Sequence, residues 1–236
     1  NQSFSVAENS ADGTVVGTLA ATDADGDPLT YAITTNVDPD GDGNAAFRIE
    51  ADQLVVNDVD DFDYEANTQL VITAEASDGS LADTAQITVN VTDVNEALTG
   101  VTLANVITSL PEDTDLSSAM KVADIVVIDD ALGALSVTLT GTEAHMFSTE
   151  NNELSLIGDA ILDYETLPIL NVTVNVQDTT LPDSTPVTVD FALSVLNVNE
   201  TPLAANDLYH VLADGSITVA APGVLGNDSD PEGDAL

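Results

Sequence analysis

The sequence predicts an all-β chain of tandem antiparallel β-sandwiches joined end to end, and three observations carry that prediction. Segments such as "LVITAEA", "AQITVNV", "LNVTVNV" and "VTVDFALSV" alternate apolar and polar residues with a period of two, as strands with one buried and one wet face do. Turn-rich phrases, "ADGT", "DADGDP", "DPDGDG" and "SDGS", break the alternation at short intervals, and no long stretch carries an apolar stripe of helical period. The whole pattern then occurs twice, about a hundred residues apart.

The repeat sets the element order. "FDYEANTQLVITAEASD" returns as "LDYETLPILNVTVNVQD" at an offset of 100, "ITVNVTDVNE" matches "FALSVLNVNE" at an offset of 104, and "SVAEN" matches "SLPED" at the same 104. Within these strands Leu70, Ile72 and Ala74 share one face in the first copy, and Leu170, Val172, Val174 and Val176 share one in the second. A short helical turn over "LSSAMKVADI" (116–125) is the one weak exception to the β reading. These matches divide the chain into repeat 1 at 1–97, repeat 2 at 98–200 and a partial third β-sandwich repeat at 201–236, whose "NDSDPEGDAL" resembles "ATDADGDPLT" of the first. Two or three strands are expected in that last segment.

Charge limits the partners. The 236 residues hold 42 Asp plus Glu against only Arg48 and Lys121, a formal net charge of −40. Nucleic acid and anionic membrane are excluded as ordinary partners, because phosphate is bound through Lys and Arg. The natural counterpart is a cation. The apolar fraction of 44% is nonetheless that of a globular protein. Without cysteine there is neither a disulfide framework nor a thiolate site, and any staple other than packing must be a hard metal held by oxygen. No apolar run is long enough to span a bilayer, and no signal peptide precedes Asn1, so mature or internal sequence is expected.

Acidic motifs recur in register with the strands. The first copy carries "AEN" (Glu8), "DAD" (Asp23, Asp25), "DYE" (Asp63, Glu65), "SDGS" (Asp78) and "DVNE" (Asp93, Asn95, Glu96). The second carries "PED" (Glu112), "IDDALG" (Asp129, Asp130), "DYE" (Asp163, Glu165), "VQD" (Asp178) and "NVNE" (Asn197, Asn199, Glu200). In this order, over nearly all of 1–200, the motifs resemble those of cadherin repeats, particularly the cadherin-like repeats of large bacterial surface proteins. The resemblance implies a Greek-key sandwich and calcium bound between consecutive repeats, with ligands from the end of one, the linker and the start of the next.

Carried over residue by residue, the resemblance implies a first calcium cluster of Glu8, Asp63, Glu65, Asp93, Asn95, Glu96, Asp129, Asp130 and Asp178. The second would take Glu112, Asp163, Glu165, Asn199, Glu200, Asp228 and Asp230. Asp23, Asp25 and Asp78 would be the upper half of a site completed by a preceding repeat. Calcium accepts about six to eight oxygens in flexible geometry, and gathering so many carboxylates without a cation costs like-charge repulsion. For an arbitrary acid such as Asp83 or Asp183 a solvated face is the better account. Two departures stand out: Ala131 takes the place of Asp25, with Asp130 as a displaced substitute, and Asn197 takes the place of Asp93 in the second linker, so the second junction should bind fewer ions or bind them more weakly.

"DPDGDGN" (38–44) fits the first six positions of an EF-hand loop through Asp38, Asp40, Asp42 and Gly43, but its twelfth position is Ile49 and no flanking helices are evident. An Asp- and Gly-rich turn is the better account, with an incidental calcium site as the alternative. His145 and His210 are isolated, which leaves no transition-metal site. With no Trp, five Phe and four Tyr, of which Phe47, Phe147 and Phe191 sit at core-like positions, a substrate platform is hard to build. An enzyme is not expected, since paired carboxylates mean nothing in so acidic a chain.

The expected function is a calcium-stiffened, rod-like adhesion or spacer module of a large bacterial surface or secreted protein, outside the cell. A calcium-dependent carbohydrate-binding module is the alternative. Expected partners are calcium ions and neighbouring repeats of the same chain, with head-to-tail self-association through the tail or glycans as open additions. Strand exchange of the kind that depends on a Trp near the terminus is not implied, because residues 1–4 are Asn1, Gln2, Ser3 and Phe4.

Overall fold

The computed structural model describes residues 1–236 and divides into two compact units, 1–96 with 130–132, and 97–129 with 133–236. The first unit contains seven strands: β1 (Gln2–Ala7), β2 (Val15–Thr18), β3 (Thr30–Thr35), β4 (Phe47–Glu50), β5 (Gln53–Val56), β6 (Gln69–Ser77) and β7 (Ala82–Thr92). They form one sheet in the order β1-β7-β6-β3 and a second in the order β2-β5-β4. The second unit repeats the plan with β8 (Gly100–Ala104), β9 (Ser109–Pro111), β10 (Met120–Ile128), β11 (Leu135–Thr140), β12 (Phe147–Glu150), β13 (Glu153–Leu156), β14 (Ile169–Asp178) and β15 (Val187–Leu196), in sheets β11-β14-β15-β9 and β12-β13-β10-β8.

The alternation read from the sequence is the alternation of burial. On β6, Leu70, Ile72 and Ala74 face inward, and β14 buries Leu170, Val172, Val174 and Val176. Each set meets residues of the opposite sheet, Leu54, Val56 and Phe47 in the first unit and Val122, Leu154 and Leu156 in the second. An edge-to-face aromatic pair reinforces each core. Phe47 packs on Phe62 with ring centroids 5.2 Å apart, and Phe147 on Phe191 at 5.8 Å.

The antiparallel expectation holds for all pairs but one in each unit. An early strand lies parallel to the closing one: β1 pairs with β7 from Gln2 opposite Ile87 to Ala7 opposite Thr92, and β9, the second strand of its unit, pairs likewise with β15. Period-two alternation carries no sign of strand direction, so the sequence did not show this. It matters for the site, because a parallel pair carries both strands' C-terminal ends to the same edge. Thus Glu8 follows β1 beside Thr92 and Asp93, and Glu112 follows β9 beside Leu196.

Two further expectations are corrected. The segment 116–125 forms no helical turn: β10 starts at Met120, and Val122, Ala123 and Ile125 enter the core. Apolar residues on both sides of its register shift at 121–123 gave the sequence its false helical look. The tail 201–236 contains only the isolated bridge Leu203–Ser229 and a 3-10 turn, Gly223–Leu225, in place of two or three strands. Its apolar side chains, Leu208 and Leu212 among them, are exposed, as expected of a segment with no opposing layer to bury them.

At Gly17, beside the register shift in the β2–β5 pairing, an added Cβ would overlap the ring of Phe4. Gly17→Ala is expected to destabilise the first repeat by about 1–3 kcal/mol, since the ring and β1 must shift to make room. Urea unfolding checks this, with an unchanged midpoint as the contrary result.

Candidate metal centres

The site of each unit is assembled from the residue that follows β1 or β9, the "DYE" turn and the end of the last strand. In the first unit Asp63 starts a tight turn, its Oδ1 accepting the Ala66 N–H at 3.0 Å and its carbonyl the Asn67 N–H at 2.8 Å. Glu8 is 3% exposed, and both of its oxygens are committed. Oε2 accepts the Tyr64 N–H of that turn at 2.7 Å, and Oε1 accepts the Val94 N–H after β7 at 2.6 Å. One buried carboxylate therefore ties three chain segments together. The second unit repeats this with Glu112, 9% exposed, which accepts the Tyr164 N–H at 2.7 Å and the Val198 N–H at 2.6 Å.

Around each clamp the acids converge. Carboxylate oxygens of Glu8, Asp63 and Glu65 lie within 4.8 Å of one another, and so do those of Glu112, Asp163 and Glu165. Desolvation first, and then the charges of Glu8, Asp93 and Asp63, hold the Glu65 carboxyl above its ordinary range. Asp93 is likewise held up by desolvation, then by Glu8 and Asp130. In the second unit Glu165 is raised by desolvation and then by Glu112, Glu232 and Asp163, and Glu200 by desolvation and then by Glu112, Glu165 and Glu232. Each shift says that negative charge is poorly compensated there.

No basic side chain is available to compensate it. Arg48 is engaged by Asp12 and Glu50, and Lys121 by Asp124 and Glu153. In addition, Asp93 Oδ1 and Glu232 Oε2 are buried without a hydrogen-bond partner. Clustered hard oxygens, uncompensated charge and buried acceptors left unpaired are what a calcium ion satisfies, so the residues present fit that ion.

The remaining first-cluster candidates divide between the units. Asp130 joins the first, its Oδ2 accepting the Glu96 N–H at 2.6 Å and its Oδ1 the Leu132 N–H at 2.9 Å, while the Glu96 side chain accepts from Asn9. Asn95 lies in the same segment as Asp93 and Glu96. Asp129 and Asp178 belong to the second unit, where Asp178 ends β14 fully buried and accepts both the N–H and the hydroxyl of Thr180 at 2.7 Å.

In the second cluster the Glu200 N–H donates to Glu232 Oε1 at 2.9 Å. Glu232 was missed by the sequence reading, which favoured Asp228 and Asp230. Their side chains instead accept from the tail's own backbone, Asp228 from Ala205 at 2.7 Å and Asp230 from Asp234 at 3.0 Å. The available signal was the sequence "DPEGD", which lies on "DADGD" of the first repeat and so aligns Glu232 with Asp25. Asn199 donates to the Glu200 carbonyl at 3.1 Å. Asn197, in the place of Asp93, donates to Glu165 Oε1 at 3.0 Å and so supplies a hydrogen bond where the first cluster has another charge.

The third group is looser. Asp23 Oδ1 accepts the N–H groups of Asp25 and Asp27, and Asp78 Oδ1 those of Ser80 and Leu81, which lower the Asp78 pKa. Asp23 and Asp78 line one open depression that Asp25 does not reach. Outside all three groups, the Asp61 carboxyl is pushed up to about 6, first by burial and then by the charges of Asp40, Asp58 and Asp38, against the Asp40 N–H.

Comparison with known proteins agrees with this architecture. Residues 2–92 match the cadherin domain. Over 212 residues, 86% of the chain, it is 29% identical to human Protocadherin beta-1, and over 205 residues, 85% of the chain, 27% identical to mouse Protocadherin Fat 4. The chain spans only 25% and 4% of those two proteins. Among solved structures it resembles the extracellular cadherin domains 3–6 of Protocadherin Gamma B2, with 27% identity and a TM-score of 0.61, over 86% of this chain and 47% of that one. These relatives are protocadherins, and the cadherin-type all-β fold is established.

Proposed function

We propose that the chain is a calcium-stiffened extracellular module for adhesion or spacing, in which ions at the ends of the strands hold consecutive repeats in a fixed arrangement. The convergence of Glu8, Asp63 and Glu65, duplicated by Glu112, Asp163 and Glu165, carries this reading. In the first repeat Asp93 and Glu96, and in the second Glu200 and Glu232, complete the ligand sets, with Asn95, Asn199, Asp129, Asp130 and Asp178 as further candidates. An outside location is supported by the matched structure, an extracellular segment. No helix is long and apolar enough to cross a membrane. The order of the acidic motifs, which resembles that of cadherin-like repeats in large bacterial surface or secreted proteins, is the ground for inferring such a setting. Nothing in the fold or among the named relatives favours the carbohydrate-binding alternative or catalysis.

Calcium supplies the positive charge, and the chain's own residues do the rest. Glu8 and Glu112 lock the turn and the strand end together, and the "DYE" turns present the exposed carboxylates. Glu65→Ala removes one exposed ligand while leaving the Glu8 hydrogen bonds in place. It is expected to weaken calcium binding at the first cluster by at least about tenfold without unfolding either repeat. Calorimetric titration of wild type and variant tests this, and an unchanged isotherm would remove Glu65 from the site.

A further inference from the structure

The loop between β3 and β4 brings together acids that the strand-end clusters do not use. It is closed at its base by the Ala46 N–H on the Val37 carbonyl at 2.9 Å, and carboxylate oxygens of Asp38, Asp40 and Asp42 lie within 4.8 Å of one another. Internal bonds shape the turn: Asp38 accepts from Gly41 at 2.8 Å and from Gly43 at 3.0 Å, and Asp42 accepts from Asn44 at 2.7 Å. Such bonds would account for an exposed acidic loop with no ion in it.

They do not account for Asp61. Its side chain comes from the segment ahead of the "DYE" turn, only 1% exposed, and its Oδ1 accepts the Asp40 N–H at 3.1 Å. Its Oδ2 is buried at the foot of the acidic loop with no hydrogen-bond partner. The second repeat provides an internal comparison. At the offset of 100 that aligns the two "DYE" motifs, the residue matching Asp61 is Ile161, which is 81% exposed, and the loop before β12 reads "GTEAHM" with no acidic triad. An acid turned inward where the repeat's other copy turns an isoleucine outward opposes the ordinary preference of both side chains. The inward acid and the acidic loop occur together in one repeat and are absent together from the other.

We propose that Asp38, Asp40, Asp42 and Asp61 hold a calcium ion of their own in the first repeat, separate from the ions at the strand ends. The three loop positions are those that begin an EF-hand loop, and Asp61, arriving from another segment, takes over the closing-carboxylate role that Ile49 at the twelfth position cannot fill. Main-chain carbonyls and water supply the rest of the oxygen shell. A hard, oxygen-seeking cation such as calcium is favoured over zinc or copper, because every side-chain ligand is a carboxylate.

The test is a calcium titration of the full chain followed by amide NMR, in which Gly41 and Gly43 report the loop while Glu96 and Glu200 report the strand-end clusters. The expected result is saturable movement of the Gly41 and Gly43 signals, with affinity reduced at least about tenfold in Asp61→Asn and in Asp42→Asn. The Glu96 and Glu200 signals should titrate as in wild type. Asp42 is exposed, so its variant reads the site even where Asp61→Asn fails to fold. Gly41 and Gly43 signals that do not move would overturn the proposal. So would movement that magnesium at equal ionic strength reproduces, or wild-type affinity in Asp42→Asn. Because the two sets of signals are separate, failure at the loop leaves the strand-end reading standing, and the converse holds.

Discussion

Millimolar calcium added to the chelated protein is expected to raise its melting temperature far more than sodium chloride or magnesium at the same ionic strength. A formal charge of −40 repels itself, so screening alone stabilises the folded chain somewhat. A bound ion acts locally, where Glu65, Asp93, Glu165 and Glu200 all sit above their ordinary pKa, first through desolvation and then through the charges of neighbouring carboxylates. At about one hundred times its dissociation constant, one site contributes about 2.7 kcal/mol. For a repeat of about a hundred residues that corresponds to on the order of 10–20 °C. Magnesium, smaller and more strictly octahedral, should recover only a fraction of this. Differential scanning calorimetry in the three salts decides the matter, and equal curves in magnesium and calcium would leave only general screening.

The largest expected effect of a single substitution is at Glu8. Glu8→Ala strands the N–H groups of Tyr64 and Val94, both of which donate to this one buried carboxylate. Each lost bond costs about 1–3 kcal/mol when its partner stays buried, so the first repeat should lose on the order of 2–6 kcal/mol even without calcium. Glu65→Ala should instead matter chiefly when calcium is present. Urea unfolding in chelator separates the two variants. Glu8→Ala should unfold the first repeat early while the second, clamped by Glu112, keeps its midpoint. A Glu8→Ala midpoint equal to wild type in chelator would show that the clamp holds nothing together without the ion.

Much of this was legible in the residues themselves. The period-two runs of β6, β7, β14 and β15 are visible because one face of each strand must be apolar and the other need not be. The repeat was visible because "DYE" and "NE" stand at fixed distances from those strands. Even the clamp acids Glu8 and Glu112 were marked by the repeat, although their burial was not.

What the sequence determined by itself was therefore the class of structure and its repetition, which depend on local pattern, while total charge set the expectation of a cationic partner. What only the tertiary structure decided was direction, depth and company. The parallel pairing of β1 with β7 brings Glu8 beside Asp93, and alternation contains no information about which way a neighbouring strand runs. Glu232 rather than Asp228 or Asp230 meets Glu200, because Asp228 and Asp230 are turned to the tail's own N–H groups at Ala205 and Asp234. Asp61 and Ile161 occupy matching places in two copies of one repeat, and their sequences alone would have put the aspartate outside and the isoleucine inside. The acidic loop takes Asp61 inward in the first repeat, and the second has no such loop beside Ile161, since burial is a property of the neighbours that converge on a residue and not of the residue.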